Sequence, residues 1–447
     1  MRVKFFALAI VFSFVSVGLA SSTANKNALS SLARKAASAD PSESAEAIAA
    51  LRAEGPSGLE AFFNEHEGDL KSRRLELAGP NPQAATQSWQ AISAALDRIC
   101  QQKDCYASRL YWYTDLDEAK RAARATGKPI LSLRLLGRLD EELSCANSRF
   151  FRITLYANEE VSKLLRERFI LHWQSVRPVP KVTIDFGDGR KLERTLTGNS
   201  IHYILDSDAR PVDALPGLYG PRAFLGELER ARGLAIRCQS AKTDHERAEF
   251  LRQYHSAHLE ELATRWAEDL AKAGITNPPS RNVTTPDSKT VERPRAEAAA
   301  RAAITKMIVV ERPVLRGIST DPKSLDPKAE DAAWTKIAAL HLEEARLDAG
   351  SRAMMRIKSL SRYANPDSLD RAVSNIERVI AEDTARNEYV LRSRIHEWFA
   401  SAVVTNDLGK LNDKVYAELF LTPSSDKWLG LFPEESFTGI EDDGVRR

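Results

Sequence analysis

The residues in this sequence that could perform chemistry are a cysteine and a serine three positions apart. Cys145 and Ser148 belong to the stretch Leu143-Ser-Cys-Ala-Asn-Ser-Arg-Phe-Phe-Arg152, which lies just ahead of a helical pattern. Redox enzymes often carry two cysteines at such a place, one to attack a disulfide and one to resolve the mixed disulfide. Only one cysteine is present here. The stretch therefore indicates either one-thiol chemistry or the remnant of a redox site.

Strand and helix patterns alternate around this stretch and must position it. Asp115, followed by Glu118, forms a capping box that predicts a helix over 116–126, and Gly127 ends that helix. Further predicted elements are strands at 128–136 and 169–175, a helix at 159–168 capped by Asn158, a hairpin at 181–196, strands at 201–205 and 211–215, and a helix from Pro221. This order predicts an α/β domain with one inserted hairpin.

Helical sequence flanks this domain on both sides. The predicted organisation is a signal peptide at 1–20, a helical N-terminal region at 21–105, the α/β domain at 106–235, and a helical C-terminal region at 236–447 with a linker near 276–292. The C-terminal region includes predicted helices at 244–273, 294–309, 330–347 and 369–400. Its turn-rich end, residues 421–433, is apolar enough to dock on another surface. The simplest interpretation is that it covers the helical core.

The N-terminus predicts export. Arg2 and Lys4 precede an uncharged apolar run that ends in small residues at Gly18 and Ala20, which is typical of a signal peptide cut after Ala20. A retained anchor is the alternative, but the run is short for a spanning helix. We expect a periplasmic protein in a Gram-negative bacterium and a secreted one otherwise, without stable membrane insertion after cleavage. The cut lowers 64 basic residues to 62, equal to the 62 acidic ones, so no nucleic-acid partner is expected.

Two parts of the domain resemble a known family. The first runs from Leu116 through Gly127-Lys-Pro to Leu131, and the second is Gly198-Asn-Ser-Ile-His-Tyr-Ile-Leu-Asp-Ser-Asp-Ala-Arg-Pro211. Both are similar to thioredoxin-like domains, most closely to exported thioredoxin-family proteins and to thioredoxin-like domains fused to large helical domains. The resemblance covers about 108–232. It implies a thioredoxin-like fold, in which a central mixed sheet is flanked by helices.

The resemblance also implies roles for site residues. Cys145 takes the position of the attacking thiol, which the N-terminus of the following helix stabilises as thiolate, and Ser148 replaces the resolving cysteine. Ser200 stands where the family usually places a cis-proline that shapes the substrate site, and Asn199 and Ser200 would bind substrate through backbone contacts. Protein or low-molecular-weight thiols are the implied partners. No cofactor is implied.

Two functions remain open at this point. Cys145 could perform monothiol exchange, as a thiol-disulfide oxidoreductase, or hold a client in a mixed disulfide while Ser148 donates a hydrogen bond to the thiolate. The alternative is a non-catalytic protein-interaction or scaffold protein in which a degenerate thioredoxin site keeps a small buried cysteine. Cys238 lies just past the last helix of the domain, and the sequence does not say whether it could resolve Cys145.

The remaining cysteines and histidines predict structure rather than a metal site. Cys100 and Cys105 are close enough along the chain to form a structural disulfide in an oxidising compartment. His202 lies near the position of a copper ligand in some thioredoxin-like proteins, but only one cysteine accompanies it. His255 and His258 are spaced i,i+3, which most simply indicates a solvated helix face. No metal is therefore expected.

Overall fold

The computed structural model describes residues 26–78, 85–196, 198–279, 328–358, 366–401 and 406–429. The predicted signal peptide, most of the predicted linker and the helix predicted at 294–309 lie outside these residues. The chain divides into two compact units, Met1–Tyr111 and Trp112–Arg447. Apart from residues 106–111, the predicted α/β domain therefore belongs to the same unit as the helical C-terminal region.

The first unit is helical in its described part. Asp40 begins one of its helices, because its side chain accepts hydrogen bonds from the backbone N–H groups of Ser42 and Glu43. Cys100 and Cys105 are joined by a disulfide just after the last helix. The helices are α1 over 26–36, α2 Pro41–Ala53, α3 Pro56–Glu65, α4 Glu67–Ala78 and α5 Gln87–Cys100.

A five-stranded mixed sheet forms the centre of the second unit. Its strands are β1 Trp112–Tyr113, β2 Ile130–Leu136, β3 Ile170–Arg177, β6 Ser200–Leu205 and β7 Pro211–Pro216. Their order is β1-β3-β2-β6-β7. The first three are parallel to one another, β6 is antiparallel to β2, and β7 is antiparallel to β6. Residues of β2, β6 and β7 are buried throughout, which explains why apolar residues occupy both faces of these strands.

The remaining strands, β4 Lys181–Asp185 and β5 Lys191–Thr195, form a separate two-stranded hairpin. Gly187 and Gly189 in its turn have φ values of 76° and 90°, which glycine adopts without strain. The hairpin predicted around these glycines is therefore present.

Helices surround the sheet. They are α6 Leu116–Thr126, α7 Ala146–Phe150, α8 Glu159–Arg168, α9 Pro221–Ser240, α10 Asp244–Lys272, α11 Lys328–Leu340, α12 Ala349–Lys358, α13 Pro366–Arg386, α14 Ser393–Ala400 and α15 Leu408–Lys414. Single π-helical segments follow α7, α13 and α15, at Phe151–Leu155, Asn387–Arg392 and Val415–Leu419. No helix in the described ranges combines the length and apolar character that a membrane crossing requires.

Local capping sets the ends of the helices beside the sheet. The Glu118 N–H donates to Asp115 Oδ1 at 2.8 Å, and Gly127 ends α6 in the left-handed conformation with φ 69°. The Val161 N–H donates to Asn158 Oδ1 at 3.0 Å and begins α8. Both helices have the bounds that their caps predict from the sequence.

The C-terminal helices pack closely against the end of the sheet. Gly217 follows β7 with φ 73°, and a Cβ there would lie 2.6 Å from Asn387 Nδ2. The Asn387 side chain donates to the Leu218 carbonyl oxygen at 2.7 Å, and the Gly220 N–H donates to Thr384 Oγ1 at 2.8 Å. Glycine at 217 therefore permits both the turn and the close approach of the helical segment.

The C-terminal helices also have a core of their own. It consists of buried residues of α10, α11, α13 and the π-helical segment after α13, namely Leu262, Trp266, Trp334, Ile337, Ala385 and Tyr389. At its edge, His341 Nε2 lies 2.7 Å from Asp269 Oδ2, and His341 Nδ1 lies 3.0 Å from Glu344 Oε1. These hydrogen bonds raise the pKa of His341 to about 9. The imidazolium thus ties the segment after α11 to α10.

We expect this contact to make stability depend on pH. Because the folded pKa of His341 lies above the unfolded value near 6.5, its contribution is complete below pH 6.5 and is lost as the pH rises through about 9. Between these pH values the free energy of unfolding should fall by about 1–2 kcal/mol, since solvent screens part of the interaction. Urea unfolding measured between pH 6 and 10 tests this, with His341→Gln as the control that should remove this part of the pH dependence. An equal slope in both proteins would contradict the assignment.

Candidate functional site

Cys145 lies at the N-terminus of α7, where the sequence predicts it, but its side chain is sealed. The residue is 0% exposed. Its N–H donates to the Leu136 carbonyl oxygen at 3.2 Å, which ties the start of α7 to the end of β2. Cys145 is a free cysteine. The thiol is thus positioned at a helix N-terminus without access for a reagent in this conformation.

The Ser148 hydroxyl is engaged within its own turn. Ser148 Oγ lies within hydrogen-bond distance of two oxygen atoms, 2.6 Å from Ser144 Oγ and 2.9 Å from the Cys145 carbonyl oxygen, which can only accept. Ser148 is also 0% exposed. Its hydroxyl therefore fixes the turn that carries the cysteine, and its hydrogen bonds are to oxygen atoms rather than to the thiol.

The two residues expected to bind substrate are covered by the chain's own C-terminal segment. We call residues 408–429, which comprise α15, its π-helical segment and the following turns, the C-terminal cover. Asn199 Nδ2 donates to Thr422 Oγ1 at 2.8 Å, and the Tyr416 hydroxyl donates to the Asn199 carbonyl oxygen at 3.0 Å. Asn199 and Ser200 are both 0% exposed. The place predicted for an extended client is therefore occupied from within the chain.

Arg177, at the end of β3, fastens the same cover. Its guanidinium donates to the carbonyl oxygens of Thr422 at 2.6 Å, Pro423 at 3.2 Å and Asp426 at 3.2 Å. Burial lowers the pKa of Arg177, because a desolvated cation is less stable. Three carbonyl oxygens are suitable acceptors for the guanidinium fork. The described end of the chain thus docks on the α/β part of the unit, not only on the helical core.

Two arginines after Cys145 are held in the same neighbourhood. Arg149 Nη2 donates to Thr195 Oγ1 at 2.9 Å, and Arg152 Nη1 donates to the Glu141 carbonyl oxygen at 2.9 Å. Burial lowers the pKa of Arg149, while a Cys145 thiolate would raise it. A thiolate at Cys145 would therefore have a cationic neighbour if the site opened.

His202 is a structural residue in this arrangement. Its Nε2 lies 2.7 Å from the Tyr156 hydroxyl, and both side chains are 0% exposed. Burial lowers the pKa of His202 to about 3, so the ring is neutral. Its ring also packs on Phe151 and Phe224, with centroid distances of 4.6 Å and 5.1 Å.

Cys238 lies near the end of α9 as a second free thiol. It is 1% exposed, and burial raises its pKa to about 11. The charge of Arg247 lowers this pKa and that of Asp206 raises it, but burial has the larger effect. Neither free cysteine is accessible in this conformation, and they are not joined to each other.

A second cluster, which the sequence did not predict, surrounds a fully buried arginine. Arg392 donates to Asp213 Oδ2 at 2.9 Å and to Glu388 Oε1 at 3.0 Å, and it also forms an ion pair with Glu227. Burial alone would raise the pKa of Asp213, but the Arg392 guanidinium outweighs burial and lowers it. This charged cluster joins β7 and α9 to the segment before α14.

Three histidine side chains lie beside this cluster. His255 and His396 are 0% exposed and His258 is 8% exposed, so the solvated helix face expected for His255 and His258 is wrong. The i,i+3 spacing correctly placed these two residues together on α10. The sequence could not show that β7 and α14 cover that face, because His396 lies 141 residues further along the chain.

Comparison of the chain with protein-family models, with curated proteins and with solved structures found no match. The class of this protein is therefore described by its fold. The second unit is an α/β protein with a five-stranded mixed sheet and an extensive helical C-terminal region.

Proposed function

We propose that this chain is an exported, non-catalytic protein-interaction or scaffold protein built on a thioredoxin-like domain with a degenerate thiol site. One observation carries the proposal. Cys145 has no exposed surface, and the C-terminal cover forms hydrogen bonds with Asn199, where a client would have to lie. Thiol exchange requires direct attack by sulfur on a disulfide, so a sealed thiol whose substrate site is filled favours a structural role for the domain.

The sheet supports the thioredoxin-like part of the proposal. Three parallel strands are followed by an antiparallel pair, and α6 and α8 lie where the resemblance expects helices. Cys145 also lies at the start of a helix, as the attacking thiol would. Ser148 stands where the family has the resolving cysteine, and a serine cannot form a disulfide. Ser200 stands where the family has the cis-proline of the substrate site. Both replacements support loss of the dithiol cycle.

Contacts between the sheet and the later helices support the scaffold role. Arg247 of α10 donates to Asp206 Oδ2 at 3.2 Å and to the Pro211 carbonyl oxygen at 2.8 Å. Asp348, just before α12, accepts a hydrogen bond from the Glu159 N–H at the start of α8. In such an arrangement the α/β domain holds the helical region in place, and the helical region is the part available for partners.

Exchange with oxidised glutathione tests the proposal. In a Cys238→Ser variant, Cys145 is the remaining free thiol. We expect no glutathione adduct on Cys145 in the native protein, and complete reaction after unfolding in urea, as measured by intact mass. Adduct formation on the native protein at a rate close to that of the unfolded chain would overturn the non-catalytic proposal.

A second candidate function is mixed-disulfide capture after the C-terminal cover detaches. It is favoured by Arg149, whose guanidinium would stabilise a Cys145 thiolate. If the protein captures clients, the conformation with the C-terminal cover docked is the resting state. A client must then displace Tyr416 and Thr422 from Asn199. Disulfide-linked clients that are present with the native chain and lost in Cys145→Ala would favour this function over the scaffold proposal.

A further inference from the structure

The histidines beside the buried charged cluster form a set of donor atoms suited to a metal ion. Asp213 of β7, His255 of α10 and His396 of α14 offer one ligand atom each, and these atoms lie within 4.8 Å of one another. All three residues are 0% exposed. The two imidazoles face each other through their Nδ1 atoms, which are 2.6 Å apart.

The hydrogen bonds of His255 orient its ring for coordination. His255 Nε2 lies 2.9 Å from the Val212 carbonyl oxygen, and a carbonyl can only accept, so Nε2 carries the hydrogen. The Nδ1 lone pair of His255 therefore points at His396. Metal-binding histidines commonly donate their second ring nitrogen to a backbone carbonyl in this way.

His396 can also present its Nδ1 atom to a metal. Its Nε2 is buried and has no hydrogen-bond partner within the described ranges of the chain, so no contact of Nε2 fixes the position of the ring hydrogen. The hydrogen can therefore lie on Nε2, which leaves the Nδ1 lone pair free to bind a metal.

The donor types of the set also suit a cation. Imidazole nitrogens and carboxylate oxygens are common ligands of transition metals in proteins.

Arg392 would repel a cation if its charge were unmatched. Glu227 and Glu388 also form ion pairs with this guanidinium, so Asp213 is one of three carboxylates around it. Arg230 and Arg265 pair with Glu227 and Glu388 from partly exposed positions. Three carboxylates and three guanidinium groups therefore balance, and the cluster around Asp213 carries no net positive charge.

We propose that Asp213, His255 and His396 form a binding site for a divalent transition metal of the Zn²⁺ class, which ties β7, α10 and α14 together. Two nitrogen ligands and one oxygen ligand suit such ions, whereas Ca²⁺ and Mg²⁺ prefer oxygen. Tetrahedral zinc would require the two Nδ1 atoms to separate by about 0.7 Å beyond the present distance, which small ring movements supply.

The test uses the tag-free full chain, stripped with a chelator and then equilibrated with Zn²⁺. We expect one Zn²⁺ per chain by elemental mass spectrometry after gel filtration. At saturation, we expect the melting temperature to rise by about 5 °C. His396→Gln should abolish the stoichiometric binding, while His341→Gln, which changes a histidine outside the set, should retain it. Absence of bound Zn²⁺ in the native chain, or binding that His396→Gln leaves unchanged, would overturn the proposal.

Cobalt gives a second readout that needs no variant. Co²⁺ bound to the native chain should show the intense visible absorption of a four- or five-coordinate ion, and Zn²⁺ should displace it. A weak octahedral spectrum would overturn the site, even if His396→Gln fails to fold.

Discussion

Replacing Arg392 with methionine is expected to lower the free energy of unfolding by about 3–5 kcal/mol, as measured by urea unfolding. Methionine keeps much of the side-chain volume and removes the charge. Asp213, Glu227 and Glu388 would then be left buried around an uncharged side chain, and each repels the others at close range. Glu227 and Glu388 would keep Arg230 and Arg265 as partners, but Asp213 would lose its guanidinium partner. The penalty comes mainly from Asp213, because a buried carboxylate without an ion-pair partner has lost hydration without compensation.

Arg394→Met is the matched control on the same helical segment. The Arg394 side chain is 52% exposed and pairs with Glu397 one turn away. Exposed pairs of this kind contribute little, so we expect a change of at most about 0.5 kcal/mol. Equal losses in the two variants would show that the Arg392 cluster adds no more to stability than a surface ion pair.

Replacing Tyr416 with alanine is expected to detach the C-terminal cover and expose Cys145. Tyr416 is 3% exposed, its ring packs edge-on against Phe420, and its hydroxyl donates to the Asn199 carbonyl oxygen. Loss of a large buried aromatic side chain weakens local packing by about 3–5 kcal/mol. If alkylation proceeds through local opening, its rate should increase by about 100-fold or more. Iodoacetamide labelling of Cys145, followed by peptide mass spectrometry in a Cys238→Ser background, measures this.

Tyr416→Phe separates the hydrogen bond from the packing. It removes the hydroxyl and keeps the ring, so we expect a cost of about 1 kcal/mol and an increase in the alkylation rate of about 5-fold. An alkylation rate that Tyr416→Ala leaves unchanged would mean that α7 and the sheet, rather than the cover, protect the sulfur.

Local signals in the sequence predicted much of the α/β domain. Asp115 and Asn158 cap their helices through backbone groups three residues away, and Gly187 and Gly189 set a turn within one hairpin. These interactions depend on neighbouring residues, so the sequence alone contains the information. The position of Cys145 at a helix start was predictable for the same reason.

The environment of the site could not be predicted in this way. Asn199 meets Thr422 across 223 residues, and His255 meets His396 across 141 residues. Nothing in the local pattern of either residue indicates a partner so far away. Periodicity identifies the face of a helix that holds a residue, but burial of that face depends on which distant segment packs on it. The covered thiol and the buried histidines were therefore outside what the local patterns could show.

The ion pair between Asp213 and Arg392 also has a consequence for biogenesis. These residues are 179 positions apart, and the contacts of Arg177 with the cover span up to 249. During synthesis, the sheet emerges long before the arginine that pairs with Asp213 and before the cover that docks on Asn199. Contacts of such long range slow folding and prolong exposure of unfinished surfaces. We expect the sheet to reach its final packing only after the whole chain has been released.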